Sequence, residues 1–231
     1  MALLSGNTAS FQKKQLSNHI AEHIRAEILA GNFSPGEFLR LDEVAKDLGV
    51  SVTPVREAFM ALSVEGFVRH AERRGFLVTP LNYTDFEDLY TLLAQVAGRL
   101  SERAASAMST EDITELESVH DRMKEAAEQS DPAEVERTND EFHRVINRAA
   151  NSSKLAWILL SILKYVPKRF YATIHGLTPM LLEQHERILS AIRDRNPAEA
   201  YAAMYEHEKI SMRSVLEHLD QQGLFSNQTI Q

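Results

Sequence analysis

The 231-residue chain contains no cysteine, which excludes disulfides and thiolate metal ligation. It has no run of about 18 uncharged apolar residues, so no segment is expected to span a membrane. Its opening stretch, MALLSGNTASFQKK, lacks the charged start and apolar centre of a secretory signal. Residues 1–13 are therefore expected to form a flexible tail, and the chain to be cytoplasmic. No repeat of 20–50 residues stands out, and no segment is low-complexity. A surplus of positive charge is also missing: the formal net charge is −8, which at first argues against a nucleic-acid partner. That deficit is local. Residues 1–80 hold nine Lys/Arg and nine Asp/Glu, whereas residues 81–231 hold sixteen and twenty-four. A neutral N-terminal module with local basic clusters can meet DNA while an acidic module keeps the molecule soluble. The 44% hydrophobic content supports a core of one large domain or two small ones.

The stretch Leu39–Gly66 reads as two short helices around a tight turn. Val44, Ala45 and Leu48 point inward on the first. Gly49 is placed to take the left-handed conformation that ends a helix. Ser51 or Thr53 caps the second helix, with Pro54 in its first turn. Val55, Phe59 and Leu62 give that helix a buried face, leaving Val52, Thr53 and Arg56 facing away at its start. A plain helical hairpin has the same outline, but a second helix led by polar residues fits a helix-turn-helix, whose second helix enters the major groove. Upstream, Leu16, Ile20, Ile24 and Ile28 mark one face of a helix from about Lys14 to Ala30. Downstream, Phe67–His70 and Gly75–Thr79 read as two strands around AERR, a β-hairpin. Together these elements make a winged helix over residues 14–80.

Residues 81–231 read as six helices with short turns, an antiparallel all-α bundle. The helices run Tyr83–Met108, from a cap at Ser109 to Gln129, from Asp131-Pro132 to Ala150, Lys154 to about Ile174 with a kink at Pro167, Thr178–Arg195, and Asn196-Pro197 to about Gly223. Asn139 and His143 lie one turn apart on one face. His185 and His207 each lie eleven residues from Asn196, so antiparallel helices set them at one height. Three imidazoles and an oxygen donor from three helices then converge, a set suited to zinc, nickel or manganese. By spacing alone, scattered histidines are more often ordinary surface or core residues. His120, His175 and His218 follow no such pattern and read as unspecialised.

The motifs PGEFL, LGVSVTPVREA, EGFV and RRGFLV, in this order, resemble the DNA-binding domain of the GntR family of bacterial transcription regulators. Asn139-Asp140-Glu141-Phe142-His143, Gln184-His185-Glu186-Arg187-Ile188 and Glu206-His207 resemble the FCD ligand-binding domain of its FadR-type subfamily. The resemblance covers nearly the whole chain. It implies a homodimer that binds double-stranded operator DNA, more often as a repressor, under control of a small-molecule effector in the bundle. The operator-side candidates are Ser51, Val52, Thr53, Pro54 and Arg56 at the second helix, with Arg40, His70, Arg73 and Arg74 expected to compensate for family arginines that this chain lacks. The family commonly has arginine where this chain has Val52 and Asp42, so Arg56 carries a larger share of base reading and Val52 is left an apolar contact such as a thymine methyl. Other readings are a solvated hairpin tip for Arg73 and Arg74, and an internal pair of Arg56 with Glu57 or Glu65.

For the bundle, the resemblance implies a metal held by Asn139, His143, His185 and His207, with asparagine where the family has aspartate, and hence weaker binding. Asp140 points about 100° away on an ideal helix. The family's pocket arginine and glutamate align with Leu93 and Ala97, which removes an anchor for a carboxylate effector; simple core packing is the other reading of this pair. Two further function classes compete: a metal-dependent hydrolytic enzyme, for which no general base is evident beside the histidines, and a DNA-binding protein with a degenerate, unliganded pocket.

Overall fold

A computed structural model of the chain describes residues 8–167, 177–221 and 225. His175 and the helix ends expected at Ile174 and Gly223 lie outside these residues, as does the start of the expected tail. The chain divides into two compact units, Met1–Asn82 with Leu219–Gln231, and Tyr83–His218.

The first unit holds α1 (Thr8–Leu29), β1 (Phe38–Leu39), α2 (Leu41–Asp47), α3 (Val52–Val64), β2 (Val68–Ala71) and β3 (Gly75–Val78). α1 starts six residues before the expected Lys14, so the expected tail of residues 1–13 overlaps it. Its inward face is Ser17, Ile20, Ala21, Ile24 and Ile28; Leu16, expected to face inward, is 39% exposed. α1 packs on α3, which buries Val55, Ala58, Phe59 and Leu62. Both α2 and α3 end in a glycine-closed turn. Gly49 and Gly66 take positive φ, the Gly49 amide donates to Lys46 and Val50 to Ala45, and Gly66 donates to Ser63 and Phe67 to Leu62. This double bond pattern satisfies the last carbonyls of each helix and aims the chain into the next element. Arg25 of α1 donates to Glu65 at the end of α3 through Nε and Nη2, at 3.1 and 2.6 Å, in a largely buried pair.

The expected two-stranded wing is a three-stranded antiparallel sheet of order β1-β3-β2. Phe38 pairs with Leu77 and Leu39 with Phe76, while Val68 pairs with Val78 and His70 with Phe76. A two-residue strand has no sequence period, so β1 is invisible until its partner is known. Central β3 buries Phe76, Leu77 and Val78, and Phe76 stacks on Phe59 of α3 at 5.0 Å. The sheet is thereby fixed to the helix it must stand beside.

The second unit holds α4 (Tyr83–Ala107), α5 (Thr110–Glu128), α6 (Pro132–Ala149), α7 (Ser153–Ile162), a 3-10 turn (Leu163–Tyr165), α8 (Leu177–Arg193) and α9 (Pro197–Gln221), whose residues to His218 belong here. The Ser109 hydroxyl accepts from the Asp112 amide and the Asp112 carboxylate accepts from the Ser109 amide, a closed capping box. Asp131 accepts from the amides of Ala133 and Glu134, with Pro132 at the first helical position. α7 ends well short of the expected kinked helix to Ile174. Val166 is extended (φ −87, ψ 123), because the ring of Pro167 excludes the helical region at the residue before it.

Gly75 carries a testable constraint. Its φ is +99, and a Cβ there would sit 2.6 Å from the Leu39 carbonyl oxygen. Gly31, at φ +75, has nothing within 4 Å of that position. Gly75→Ala is expected to destabilise the chain by about 1–3 kcal/mol beyond Gly31→Ala, since it adds a backbone clash to the same dihedral strain. Equal losses in urea titrations of the two variants would contradict the clash.

Candidate functional site

In the first unit, α3 presents Ser51, Val52, Thr53 and Arg56 to solvent at its start. Ser51 holds the N-cap backbone geometry, but its side chain makes no cap hydrogen bond. Pro54, an operator-side candidate in the first turn of this helix, is buried. Beside this helix a concavity of about 700 Å³ is lined by Arg40, Asp42, Arg56, His70, Arg73 and Arg74, together with Phe38 and Phe76. Four arginines from a loop, a helix and a hairpin therefore face one space. Asp42 lies among them. The turn that makes the tip is tight: Arg74 donates its amide to the Ala71 carbonyl, and Arg73 takes φ +60. The Arg74 guanidinium lies over the Phe38 ring, 5.7 Å from its centroid, and His70 meets Phe76 edge-on at 5.2 Å. Phe38 belongs to the unforeseen strand and braces an arginine that sequence reading had as a candidate. Glu65 accepts from Arg25 through Oε2.

In the second unit, His143 of α6, His185 of α8 and His207 of α9 each offer a ring nitrogen within 4.8 Å of the others. Ring centroids are 5.2 Å apart for His143 and His185, 4.8 Å for His185 and His207, and 5.1 Å for His143 and His207. Phe142 lies flat on His185, at 4.3 Å and 6°. His185 and His207 are 0% and 2% exposed, and Asn139, one turn before His143, is 5% exposed. The neighbouring Asp140 is exposed, as its position on the helix requires. His185 Nδ1 and Nε2, His207 Nε2 and Asn139 Oδ1 are all buried without a hydrogen-bond partner. A buried polar atom left this way costs about 1–3 kcal/mol. A cation can take one nitrogen from each of the three rings, which would satisfy one nitrogen of His185 and that of His207. Nitrogens sharing one tetrahedral metal stand about 3.4 Å apart, so the rings need close by roughly an ångström.

Burial holds these rings neutral. His143 is pushed down to about 4 by desolvation. His185 and His207 are held well below the ordinary value, first by burial and then by the neighbouring imidazoles. A neutral imidazole keeps its lone pair for a metal. Two residues were not singled out from sequence. His120, read there as unspecialised, is fully buried in α5, with its ring 6.4 Å from that of His185; its Nε2 contacts the Leu182 carbonyl at 3.3 Å and its Nδ1 lies 3.4 Å from Glu186. Glu208, 9% exposed, has its carboxyl pushed up to about 7 by burial. No spacing rule marks either; each becomes visible only when helices far apart in sequence meet. His218 is half-buried in α9. Leu93 and Ala97 are buried on α4, at 1% and 4% exposure.

Two family profiles match the chain: "Bacterial regulatory proteins, gntR family" over residues 16–78 and the FCD domain over residues 88–209. The HTH-type transcriptional repressor RspR of Escherichia coli is 27% identical over 195 residues, 83% of this chain and 85% of its own length. The Nta operon transcriptional regulator of Aminobacter aminovorans is 29% identical over 187 residues, 80% and 88% of the two lengths. Among solved structures, Escherichia coli McbR/YncC shares the fold with a TM-score of 0.68 at 19% identity, covering 88% of this chain and 98% of that one. No helix among the described residues is long and apolar enough to cross a membrane.

The buried rings set a pH dependence. The unfolded chain protonates them near the ordinary histidine value of 6.5, and the folded chain resists. Stability of metal-free protein is therefore full above about pH 6.5 and falls as the pH drops below it, each ring contributing roughly 1.4 kcal/mol per pH unit. Glu208, raised rather than lowered, acts in the opposite sense between about 7 and 4.5 and offsets one ring. Thermal melts in chelator are expected to shift to lower temperature from pH 7.5 to 5.5, and less steeply in His185→Phe. A midpoint that stays level in the unaltered protein contradicts neutral buried rings.

Proposed function

The chain belongs to the gntR family of bacterial regulatory proteins, with an FCD domain, and from that premise we propose how this DNA-binding transcriptional regulator reads its operator and senses its effector. It acts as a repressor, on a two-fold operator, as a homodimer. The observation that carries the operator reading is the gathering of Arg40, Arg56, His70, Arg73 and Arg74 around one concavity beside the exposed start of α3. Arg56 reads base edges, because its planar fork pairs with guanine O6 and N7. Arg73 and Arg74 take phosphate or the minor groove at the hairpin tip. Val52, 38% exposed next to Arg56 on α3, accepts a thymine methyl. Asp42 disfavours phosphate and accepts from a cytosine amino group.

The effector reading rests on the histidine cluster. The orphaned atoms and neutral rings fit a divalent metal held by His143, His185, His207 and Asn139. Such a metal supplies positive charge for an anionic effector group or a water. Asn139 contributes a carbonyl oxygen without charge, so the four protein donors are neutral as a set. Leu93 and Ala97 contribute apolar lining, which favours an effector whose remainder is less polar. Effector binding then changes the grip on the operator.

Selection of bound sequences from a genomic DNA pool tests the function directly: a dyad of short half-sites is expected, and no enrichment would overturn operator binding. On the selected site, Arg56→Ala is expected to lose about 1–3 kcal/mol and relax base preference. Thymine-to-uracil replacement next to the guanine should weaken the unaltered protein several-fold and leave Val52→Ala indifferent. Uracil tolerated equally by both removes Val52 from base reading.

Asn139→Asp restores a charged oxygen donor. It is expected to tighten Ni²⁺ or Zn²⁺ roughly tenfold in competition with a chromogenic chelator. An unchanged affinity takes Asn139 out of the donor set.

A further inference from the structure

Outside both sites, α1 carries two histidines on its outer side. The middle of the helix reads His19-Ile20-Ala21-Glu22-His23. Ile20, Ala21, Ile24 and Ile28 take the inner side and are buried. That leaves His19, Glu22 and His23 exposed to solvent. Residues four apart on a helix stand one above the other, with Cβ atoms about 5–6 Å apart. The two imidazoles therefore share one stripe, and Glu27 follows on it four residues later.

The stripe is braced from one end. Asn32, just past the helix, donates its side-chain amide to Glu27 Oε2 at 2.7 Å and its backbone amide to the Glu27 carbonyl at 2.9 Å. The other carboxylate oxygen, Oε1, lies 3.9 Å from His23 Nδ1. A carboxylate beside one ring nitrogen favours the proton there and leaves the lone pair on the other, the partner that ligand histidines ordinarily have. Two histidines one turn apart on a helix face are a known way to hold zinc. Hydrolytic zinc sites with the spacing His-x-x-Glu-His add a further protein donor. Among the described residues, no third His, Asp or Glu closes in on this pair. An ion held here keeps its other positions for water.

We propose that His19 and His23 form a second metal site, facing solvent on α1, for a zinc-class divalent ion, with Glu27 as the residue that orients His23. The site differs in kind from the buried cluster. Both rings are open to water, so the ion enters without any opening of the fold, and two neutral ligands hold it more weakly than three or four. The ligands meet only when this turn of α1 is helical, so bound metal favours the helix. α1 packs on α3, which ties this exposed site to the framework of the first unit.

Diethyl pyrocarbonate acylates free imidazole nitrogens, and peptide mass mapping of the full chain reads each histidine separately, with Zn²⁺ alone as the probe. Zn²⁺ at tens of micromolar is expected to slow modification of His19 and His23 together, several-fold, while exposed His70 reacts as before. In His23→Gln, His19 should lose its protection, and in His19→Gln, His23 should lose its own, because a single imidazole does not hold the ion at this concentration. Glu27→Gln keeps both ligands and is expected to raise the zinc concentration for half-protection about tenfold. Far-ultraviolet circular dichroism should be unchanged in all three variants, since no buried side chain is altered. Failure of millimolar Zn²⁺ to protect either ring overturns the proposal. So does protection of His19 that survives in His23→Gln, which is single-ligand contact and not a site. An unchanged midpoint in Glu27→Gln overturns the orienting role. The buried cluster is read on its own histidines in the same maps, so its occupancy is not counted here.

Discussion

A buried imidazole without a hydrogen bond costs stability, and the second unit carries that cost where three of its helices meet. Three helices bring His143, His185 and His207 together where water does not reach two of them. Protonation would place like charges about 5 Å apart in an apolar interior, so the rings stay neutral. Phe142, stacked flat on His185, keeps that ring in one orientation without satisfying either nitrogen. The result is a set of lone pairs held in place and left unused. Structural histidines in a core are ordinarily bonded to a carbonyl or carboxylate, as His120 is to Leu182. His120 and its neighbour His185 are both fully buried, but only His120 meets a backbone carbonyl, while both nitrogens of His185 lack a hydrogen-bond partner.

The first unit solves a different problem with the same economy of parts. It has no charge surplus, so it must gather cations locally. α3 is pinned at its end by the Arg25–Glu65 pair and along its inner face by Phe59 against Phe76. Those contacts fix the sheet next to the helix, and β1 brings Phe38 under Arg74. Each arginine on the concavity is thus carried by an element whose position is set from the core outward. Charge density at that place reflects the packing of Phe59, Phe76 and Phe38 as much as the arginine count.

The fold was legible where local chemistry decides it. Gly49 and Gly66 punctuate two helices because their φ is positive, and Ser109 and Asp131 announce starts because their side chains reach free amides. The convergence of His143, His185 and His207 was legible too, because two helices joined at Asn196 act as a ruler. Illegible were features made by distant pairings. β1 exists only as a partner for β3. The involvement of His120 depends on a carbonyl 62 residues away. Buried Glu208 follows no spacing rule. Leu16 fits the apolar period of α1 but lies where no element covers it. The end of α7 was readable in principle, since Val166 precedes Pro167; the proline was read as a kink when its stronger effect is on the residue before it.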